Sequence, residues 1–320
     1  MPASSLKILC VASEAVPYAK TGGLADVLGA LPRELARMGH DVRLVLPKYG
    51  TIDSAAHGLK EWGRVAVPTA SGAVSAVVEE GRLPDSGVGV FTIGHEPFFR
   101  RRGLYGEAGA DYPDNLQRFA FFCRATMQLL LELAKVSRWT PDVLHAHDWQ
   151  AALSVVYLKS LYARRTEFAS LATVFTIHNL GYQGLFPAAA FPATGLGQNF
   201  FTPTALEFYG QANLLKGGLV FSDLITTVSP TYSREIQGAE FGFGLDGVLR
   251  ERKDRLTGVV NGIDVGEWNP ATDPNLPARY SASDLAGKRV CKEALQKELG
   301  LPVRNVPLLA AISRFTSQKR

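Results

Sequence analysis

The chain has 320 residues, enough for about two domains at roughly 150 residues each. It has 34 Lys and Arg residues against 30 Asp and Glu residues, which gives a formal net charge of +4, and 46% of its residues are hydrophobic. This balance is typical of a folded globular protein. It argues against a disordered chain and against a dedicated nucleic-acid-binding protein, which clusters its basic residues. No uncharged apolar run is long enough to span a membrane.

The cysteines and the N-terminus indicate the compartment. Cys10, Cys123 and Cys291 are far apart and form no CxxC pair. Their odd number and wide spacing exclude a disulfide framework and a zinc knuckle. The N-terminus has neither a signal-peptide nor a transit-peptide pattern. We therefore expect a cytoplasmic protein.

The first elements have the pattern of a βαβ unit. Residues 6–13 form a short apolar run bounded by polar residues, which predicts a buried strand. Leucines then recur at three- and four-residue steps from Leu24 to Leu35, as on an amphipathic helix. Residues 42–46 predict the next strand. Strand, helix and strand in this order predict a parallel sheet.

Two further patterns complete the first domain, which we place at residues 1–260. Residues 64–93 contain short valine-rich runs broken by turn residues, which predict antiparallel strands. Residues 113–136 have a long helical pattern. Later apolar runs predict strands at residues 143–147, 172–177, 224–228 and 256–260. This alternation predicts a doubly wound α/β domain.

The remaining residues, 261–320, predict the start of a second α/β domain. A polar, proline-rich stretch at residues 269–277 predicts a linker or surface loop. Residues 285–299 have a helical pattern, and residues 308–312 predict a buried strand. We expect this region to be weakly packed, because the sequence holds few elements that could pair with it.

The first candidate site follows the first predicted strand. Ligands of open α/β sheets bind at the carboxyl ends of the strands. Lys20, Thr21, Gly22 and Gly23 lie there. The glycines let backbone N–H groups approach a ligand, and the next helix directs its positive end at the loop, which suits a phosphate group. A plain glycine-rich turn beside a solvated lysine fits the same residues. The motifs GxGxxG and GxxxxGK[ST] are absent.

The second candidate site is the end of the strand predicted at residues 143–147. His145 and His147 face the same way, since they are two apart on a strand, and Asp148 and Trp149 follow. Three interpretations remain open. The residues could form a zinc or iron site, a packed histidine with Asp148 capping the next helix, or a sugar site. The metal interpretation lacks a third ligand at a recognisable spacing.

Two more candidates follow later strands. His178 and Asn179 end one of them, where a lone histidine can equally be structural. Arg314 and Lys319 follow the last predicted strand, where two cations suit a diphosphate leaving group. A solvated basic chain end fits these two residues as well.

The candidate sites lie in segments that, taken in order, closely resemble glycosyltransferase family 5, the family of bacterial glycogen synthases and starch synthases. The segments at the sites are KTGGLADVLGALP from Lys20, HAHDWQ from His145, TIHNLGYQG from Thr176, NGIDVGEWNPATD from Asn261 and SRFTSQK from Ser313. Further matching segments are GHDVRLVLPKYG from Gly39, GLYG from Gly103, YPDNLQRF from Tyr112, EFYGQANLLKGGL from Glu207, TTVSPTYSREIQ from Thr226 and FGFGLDGVL from Phe241.

The resemblance implies a fold and an activity. It implies the GT-B fold, in which two Rossmann-like domains face a deep cleft. It also implies retaining transfer of glucose from ADP-glucose to the non-reducing 4-OH of an α-1,4-glucan, with neither a metal nor a cofactor. By the same resemblance, Lys20, Gly22 and Gly23 contact the phosphate side of the donor, and Asn261 lies near the donor glucose.

The catalytic residues are likewise implied by the resemblance. Asp148 and His178 hold the glucosyl unit, and His178 helps to stabilise an oxocarbenium-like transition state. Arg314 and Lys319 grip the diphosphate and stabilise ADP as it leaves. The motif that contains Tyr112, Asn115 and Arg118 receives no chemical role.

The end of the chain departs from the family pattern. The family motif SRxTxQKG ends here in Arg320, and family members continue through a complete second domain. We therefore expect little or no transferase activity from this chain alone. One alternative is a non-catalytic module that binds glucan. Another is a nucleotide-dependent dehydrogenase, against which the missing GxGxxG argues. The expected partners are ADP-glucose and an α-1,4-glucan, and neither nucleic acid nor a membrane.

Overall fold

The structure is a computed structural model that describes residues 5–69 and 72–312. The chain divides into two compact units, Met1–Gly262 and Ile263–Arg320. None of the helices in the described ranges is both long and apolar enough to cross a membrane.

The first unit alternates strands with helices. Its strands are β1 (Lys7–Val11), β2 (Asp41–Pro47), β3 (Lys60–Thr69), β4 (Gly72–Arg82), β5 (Gly89–Gly94), β6 (Gly106–Glu107), β7 (Ala110–Asp111), β8 (Val143–His147), β9 (Ala172–Ile177), β10 (Leu185–Pro187), β11 (Glu207–Phe208), β12 (Gln211–Asn213), β13 (Leu224–Thr227) and β14 (Leu256–Gly258). Its α-helices are α1 (Gly23–Arg37), α2 (Glu96–Phe99), α3 (Asn115–Val136), α4 (Asp148–Lys159), α5 (Leu214–Phe221), α6 (Pro230–Glu235) and α7 (Asp246–Glu251).

A large mixed sheet organises the first unit. Among the described residues it has nine strands in the order β14-β13-β9-β8-β1-β2-β5-β4-β3. The strands from β14 to β5 are all parallel, whereas β4 and β3 are antiparallel to their neighbours. The predicted α/β fold with a parallel sheet is thus confirmed. The antiparallel strands predicted within residues 64–93 are β3, β4 and β5, but β5 also pairs in parallel with β2.

Burial explains why the central strands form where they do. Leu9, Cys10 and Val11 of β1 are fully buried, as expected for an apolar strand covered on both faces. Helix α3 packs on α4, and α4 packs on α5, β8 and β9. Most residues of α3 are buried, and each fully buried Leu or Phe contributes about 1.5–3 kcal/mol relative to an exposed one. Helix α1 continues through Pro32, which does not end it.

The strand order creates a crevice beside β1. The chain first adds β2 on one side of β1 and later returns to add β8 on the other side. The segments that leave the carboxyl ends of β1 and β8 therefore diverge. Such a switch point is where open α/β sheets bind their ligands.

In its described part, the second unit contains one regular element, α8 (Ala286–Glu298). The strand predicted at residues 308–312 is wrong, because those residues form no strand. A strand needs a neighbour to satisfy its backbone N–H and C=O groups, and this unit offers none among the described residues. Leu309 and Ile312 are almost fully exposed as a result.

Candidate active site

Three histidines meet at the carboxyl ends of β8 and β9. His145 and His147 project from the same face of β8, and their rings stack with centroids 4.0 Å apart. His178 directly follows β9, and its Nε2 lies 3.0 Å from Nδ1 of His147. His145 Nε2 lies 2.6 Å from Oγ1 of Thr176 on β9. Neighbouring parallel strands therefore join the three imidazoles into one cluster, which we call the histidine cluster.

The histidine cluster is neutral near pH 7. Burial lowers the pKa of His178 to about 4. Burial, with a smaller effect of His178, lowers the pKa of His145 to about 4. Burial and the two neighbouring histidines hold the pKa of His147 well below its usual range. In the His147–His178 contact one neutral ring must therefore donate an N–H and the other must accept it.

Asp148 joins the cluster from the first residue of α4. Its carboxylate Oδ1 accepts a hydrogen bond of 2.8 Å from the backbone N–H of His178. Its φ of +56° lies in the left-handed region, which Asp and Asn tolerate better than most residues. The predicted alternative, in which Asp148 caps the helix, is wrong, because His147 occupies the N-cap position and the Asp148 side chain accepts from His178 instead.

The carboxyl group of Asp148 titrates near neutrality. Burial raises its pKa, hydrogen bonds from the backbone of His178 and Asn179 oppose that rise, and the charge of Glu14 adds to it. The result is a pKa of about 7. A carboxylate that is costly to ionise is stabilised by a positive charge placed beside it, such as one that develops on a reacting sugar.

The glycine loop, residues 20–23, is folded around the carboxylate of Glu14. The backbone N–H groups of Thr21 and Gly22 both donate to Glu14 Oε2, the latter at 3.3 Å. The hydroxyl of Thr21 donates to Oε1 at 2.7 Å. Lys20 is half-exposed and forms an ion pair of 2.6 Å with Asp26. Hydrogen bonds to Glu14 thus define the conformation of the loop, which distinguishes it from a plain solvated turn.

The two glycines of the loop face open space. A Cβ placed on Gly22 or Gly23 would meet nothing within 4 Å, and neither residue has a left-handed φ. Neither packing nor backbone geometry therefore requires glycine here. The N–H groups of Gly23 and Leu24 have no hydrogen-bond partner among the described residues. They begin α1, where backbone N–H groups are available to an anionic ligand.

The structure brings some of the predicted site residues together and leaves others apart. Asp148 and His178 touch, and Glu14 links the glycine loop to Asp148 through its charge. Asn261 is exposed near the end of the first unit, and no hydrogen bond to the histidine cluster is seen in the described ranges. Arg314 and Lys319 lie outside the described residues.

A third potential metal ligand stands beside the two histidines of β8. The Sγ of Cys10 and ring nitrogens of His145 and His147 lie within 4.8 Å of one another. Sequence spacing could not reveal Cys10, because it comes from the neighbouring strand β1. Burial raises the pKa of Cys10 to about 12, and a metal needs the thiolate.

The arrangement of the rings also disfavours a metal. An imidazole binds a metal through a lone pair in its ring plane. Two of the ring nitrogens already have hydrogen-bond partners, since His145 Nε2 lies 2.6 Å from Thr176 Oγ1 and His147 Nδ1 lies 3.0 Å from His178 Nε2. The absence of a metal remains a prediction.

Sequence reasoning missed Glu14 and Tyr105. The Tyr105 hydroxyl donates to Glu14 Oε1 at 2.5 Å, although the residues are 91 positions apart. Only the placement of an acidic residue in an otherwise apolar segment, seven residues before Thr21, could have indicated Glu14.

Comparison with known proteins defines the class. A domain of this fold, with its polar groups at the switch point of a parallel sheet, is a Rossmann-like domain of the GT-B type. A family model described as the starch synthase catalytic domain matches residues 7–251. The chain therefore belongs to the starch synthase catalytic domain family, glycosyltransferase family 5.

Individual relatives agree with this assignment. The glycogen synthase of Anaeromyxobacter sp. (strain Fw109-5) is 51% identical over 316 residues, which cover 98% of this chain and 64% of the relative. Glycogen synthase 2 of Geobacter sulfurreducens is 48% identical over 318 residues, again 98% of this chain and 64% of the relative. The chain thus spans about 64% of the length of these curated relatives.

A solved structure matches the fold. The catalytic domain of starch synthase IV from Arabidopsis thaliana, bound to ADP and acarbose, has a TM-score of 0.83 and 36% sequence identity. The match covers 95% of this chain and 61% of that chain.

Proposed function

We propose that this chain carries the glucosyl-binding part of a retaining transferase, which moves glucose from ADP-glucose to the non-reducing end of an α-1,4-glucan. The observation that carries the proposal is the contact of Asp148 with His178 at the switch point of the sheet, beside the glycine loop. Relatives named glycogen synthase, and a similar structure bound to ADP and acarbose, support the choice of donor and acceptor.

The chemistry places two demands on the site. In the transfer, the bond between the glucose C1 and the phosphate oxygen breaks, and a bond from C1 to the acceptor 4-oxygen forms on the same face. The acceptor proton passes to the departing phosphate, so no protein base is needed. Positive charge grows at C1 while negative charge grows on the diphosphate, and each needs a stabilising group.

The histidine cluster and Asp148 suit the first of these needs, a group that stabilises the positive charge at C1. Neutral imidazoles can bind sugar hydroxyls without adding positive charge near C1. His178 is held through both its ring and its backbone, so it is pre-oriented. The carboxyl group of Asp148 becomes easier to ionise as positive charge grows beside it. The resulting carboxylate stabilises the transition state more than the ground state.

The glycine loop answers the second demand. The N–H groups of Gly23 and Leu24, at the start of α1, and the ammonium of Lys20 suit the donor diphosphate. Arg314 and Lys319, by family resemblance, add cations for departing ADP, and Asn261 lies near the donor glucose. We propose a cytoplasmic location, consistent with the three free cysteines. No nucleic acid, membrane, metal or cofactor is part of the proposal.

The test is transfer of radiolabelled glucose from ADP-glucose to glycogen. We expect little transfer by this chain and clear transfer by a form extended at its C-terminus to the length of its relatives. In the extended form, His178→Ala should lower kcat by about 100-fold or more. His57→Ala, which removes a histidine whose ring contacts Tyr18, is the matched control.

Two results would contradict the proposal. An extended form that transfers no glucose yet co-sediments with glycogen would favour the glucan-binding module. Full activity of His178→Ala would remove His178 from the mechanism.

A further inference from the structure

Glu14 is a buried carboxylate that is held by hydrogen bonds. It is 3% exposed and forms no ion pair with a described residue. Four donors surround it: the N–H groups of Thr21 and Gly22, the Thr21 hydroxyl and the Tyr105 hydroxyl. A buried charge without water is tolerated only when such donors replace its hydration. The conformation of the glycine loop is therefore coupled to this carboxylate.

Tyr105 is itself oriented by its neighbours. Its single hydroxyl hydrogen goes to Glu14, so Ser13, whose Oγ lies 2.7 Å away, must donate to the same oxygen. The carbonyl of Tyr105 accepts from the side-chain N–H of Asn115 at 2.9 Å. Both ends of this residue are thus fixed.

The motif at the start of α3 provides the anchor. Arg118 is fully buried, and its guanidinium donates to Asn115 Oδ1 at 2.6 Å and to the carbonyl of Leu104 at 2.9 Å. A third N–H donates to the carbonyl of Phe98 at 2.7 Å. Arg118 therefore holds the segment before Tyr105 and the amide that binds Tyr105.

The turn that presents Tyr105 is closely packed. A Cβ on Gly103 would lie 1.9 Å from the carbonyl oxygen of Gly106, which is a clash. The N–H of Gly103 donates to the hydroxyl of Tyr112 at 3.2 Å. The segment GLYG and the segment that begins at Tyr112 therefore act as one unit, which reaches Glu14 through the Tyr105 hydroxyl and, through Glu14, the glycine loop.

We infer that Glu14 and Tyr105 are positioning residues, which hold the glycine loop in one conformation. They connect the loop to the start of α3. With the N–H groups of Thr21 and Gly22 turned to Glu14, those of Gly23 and Leu24 remain for a ligand. That this ligand is the donor diphosphate rests on the proposed function. Tyr112, Asn115 and Arg118, to which the sequence assigned no role, thereby hold Tyr105 in place.

The test is hydrogen exchange of this chain, followed amide by amide in the glycine loop. Tyr105→Phe removes one hydroxyl and keeps the ring. It should speed exchange at Thr21 and Gly22 by about threefold to tenfold. Tyr157→Phe is the matched control, because it removes a buried hydroxyl that donates to the carbonyl of Thr194. It should leave the loop unchanged.

Two further measurements make the outcome decisive. Glu14→Gln should speed loop exchange more than Tyr105→Phe does. It replaces one accepting oxygen by an N–H₂ group, which cannot accept from the donors of Thr21 and Gly22. Addition of ADP-glucose should slow exchange at Gly23 and Leu24 in the wild-type chain and do so less in Tyr105→Phe.

The outcomes separate the inference from the proposed function. Loop exchange that is the same in Tyr105→Phe and Tyr157→Phe overturns the inference, even if both variants are less stable overall. Faster exchange in Tyr105→Phe, with no protection by ADP-glucose in the wild-type chain, supports the positioning role and refutes the donor contact.

Discussion

His147 and His178 share a hydrogen bond between their rings, Nδ1 to Nε2 at 3.0 Å, across two neighbouring parallel strands. Each ring is neutral, so the contact works only while one nitrogen carries a hydrogen and the other does not. A proton added to the accepting nitrogen would set two N–H groups against each other and leave a charged imidazolium in a buried site. The arrangement of this pair, and of Asp148 beside it, leads to the first two predictions.

We predict that the imidazoles of His145 and His178 stay neutral well below pH 6. Burial lowers the pKa of both rings to about 4, so protonating either ring is less favourable in the folded protein than in the unfolded chain. The measurement is an NMR titration of the ring Cε1–H signals, with the same chain unfolded in urea as the control. Midpoints for these two rings near the unfolded value would contradict the prediction.

We predict that the unfolding free energy of the wild-type protein falls more steeply with rising pH than that of Asp148→Asn. The folded pKa of Asp148 is raised to about 7, above its ordinary value of 3.8. The native state therefore binds this proton more tightly than the unfolded state does. Its contribution to stability is present below about pH 4 and is lost as pH rises through about 7. The difference in unfolding free energy, wild type minus variant, should fall across that window in urea titrations.

The choice of Asn makes the Asp148 test specific. Asn keeps an oxygen for the N–H of His178 and tolerates the left-handed φ. Comparing the two proteins at each pH also cancels the opposite effect of the histidines, which lose stability as pH falls from about 6.5 to about 4. A difference that is constant with pH would show that Asp148 ionises normally.

We predict that Gly22→Ala changes ligand binding and leaves stability intact. A methyl group there meets open space, so the unfolding free energy should change by less than about 0.5 kcal/mol. The same methyl would project toward the space above the loop and should weaken binding of ADP-glucose. Calorimetric titration of ADP-glucose and chemical denaturation provide the two measurements.

Gly29→Ala, within α1, is the matched control for Gly22→Ala, which lies directly before that helix. Its Cβ would lie 2.2 Å from Cγ2 of Val16, so it should destabilise the fold by about 1–3 kcal/mol. Equal stability losses in the two variants would mean that the glycine loop is packed by the protein itself.

We predict that metals are irrelevant to this site. Chelation with EDTA should leave the unfolding temperature unchanged, because burial raises the pKa of the Cys10 thiol to about 12 and so disfavours the thiolate that a metal needs. Addition of Co²⁺ should produce no thiolate-to-metal absorption band. A band that appears in the wild-type chain and disappears in Cys10→Ser would show that Cys10 and the histidines do bind a metal.

The sequence predicted those parts of the fold that depend on local pattern. The strands at Val143–His147 and Ala172–Ile177 were predicted to the residue, because each is a short apolar run that ends in polar residues. Asp148 and His178 were singled out because each directly follows such a run, and the structure places the two in contact. The strand at residues 308–312 failed, since an apolar run forms a strand only beside a partner, and local pattern says nothing about partners.

The missed parts of the site depend on contacts distant in sequence. Cys10 meets His145 only because β1 and β8 are neighbours, and Tyr105 meets Glu14 across 91 positions. Such contacts follow from strand order, which periodicity does not reveal.

The place of β1 in the sheet has a consequence for the order in which the molecule can be made. The side of β1 that faces the site has no partner until β8 has been synthesised, more than 130 residues later. Until then β1 presents an open apolar edge, and such edges recruit strands from other chains. A nascent chain, or any fragment that ends before Val143, is thus prone to aggregate through the strand edge that lies beside the candidate site in the finished protein.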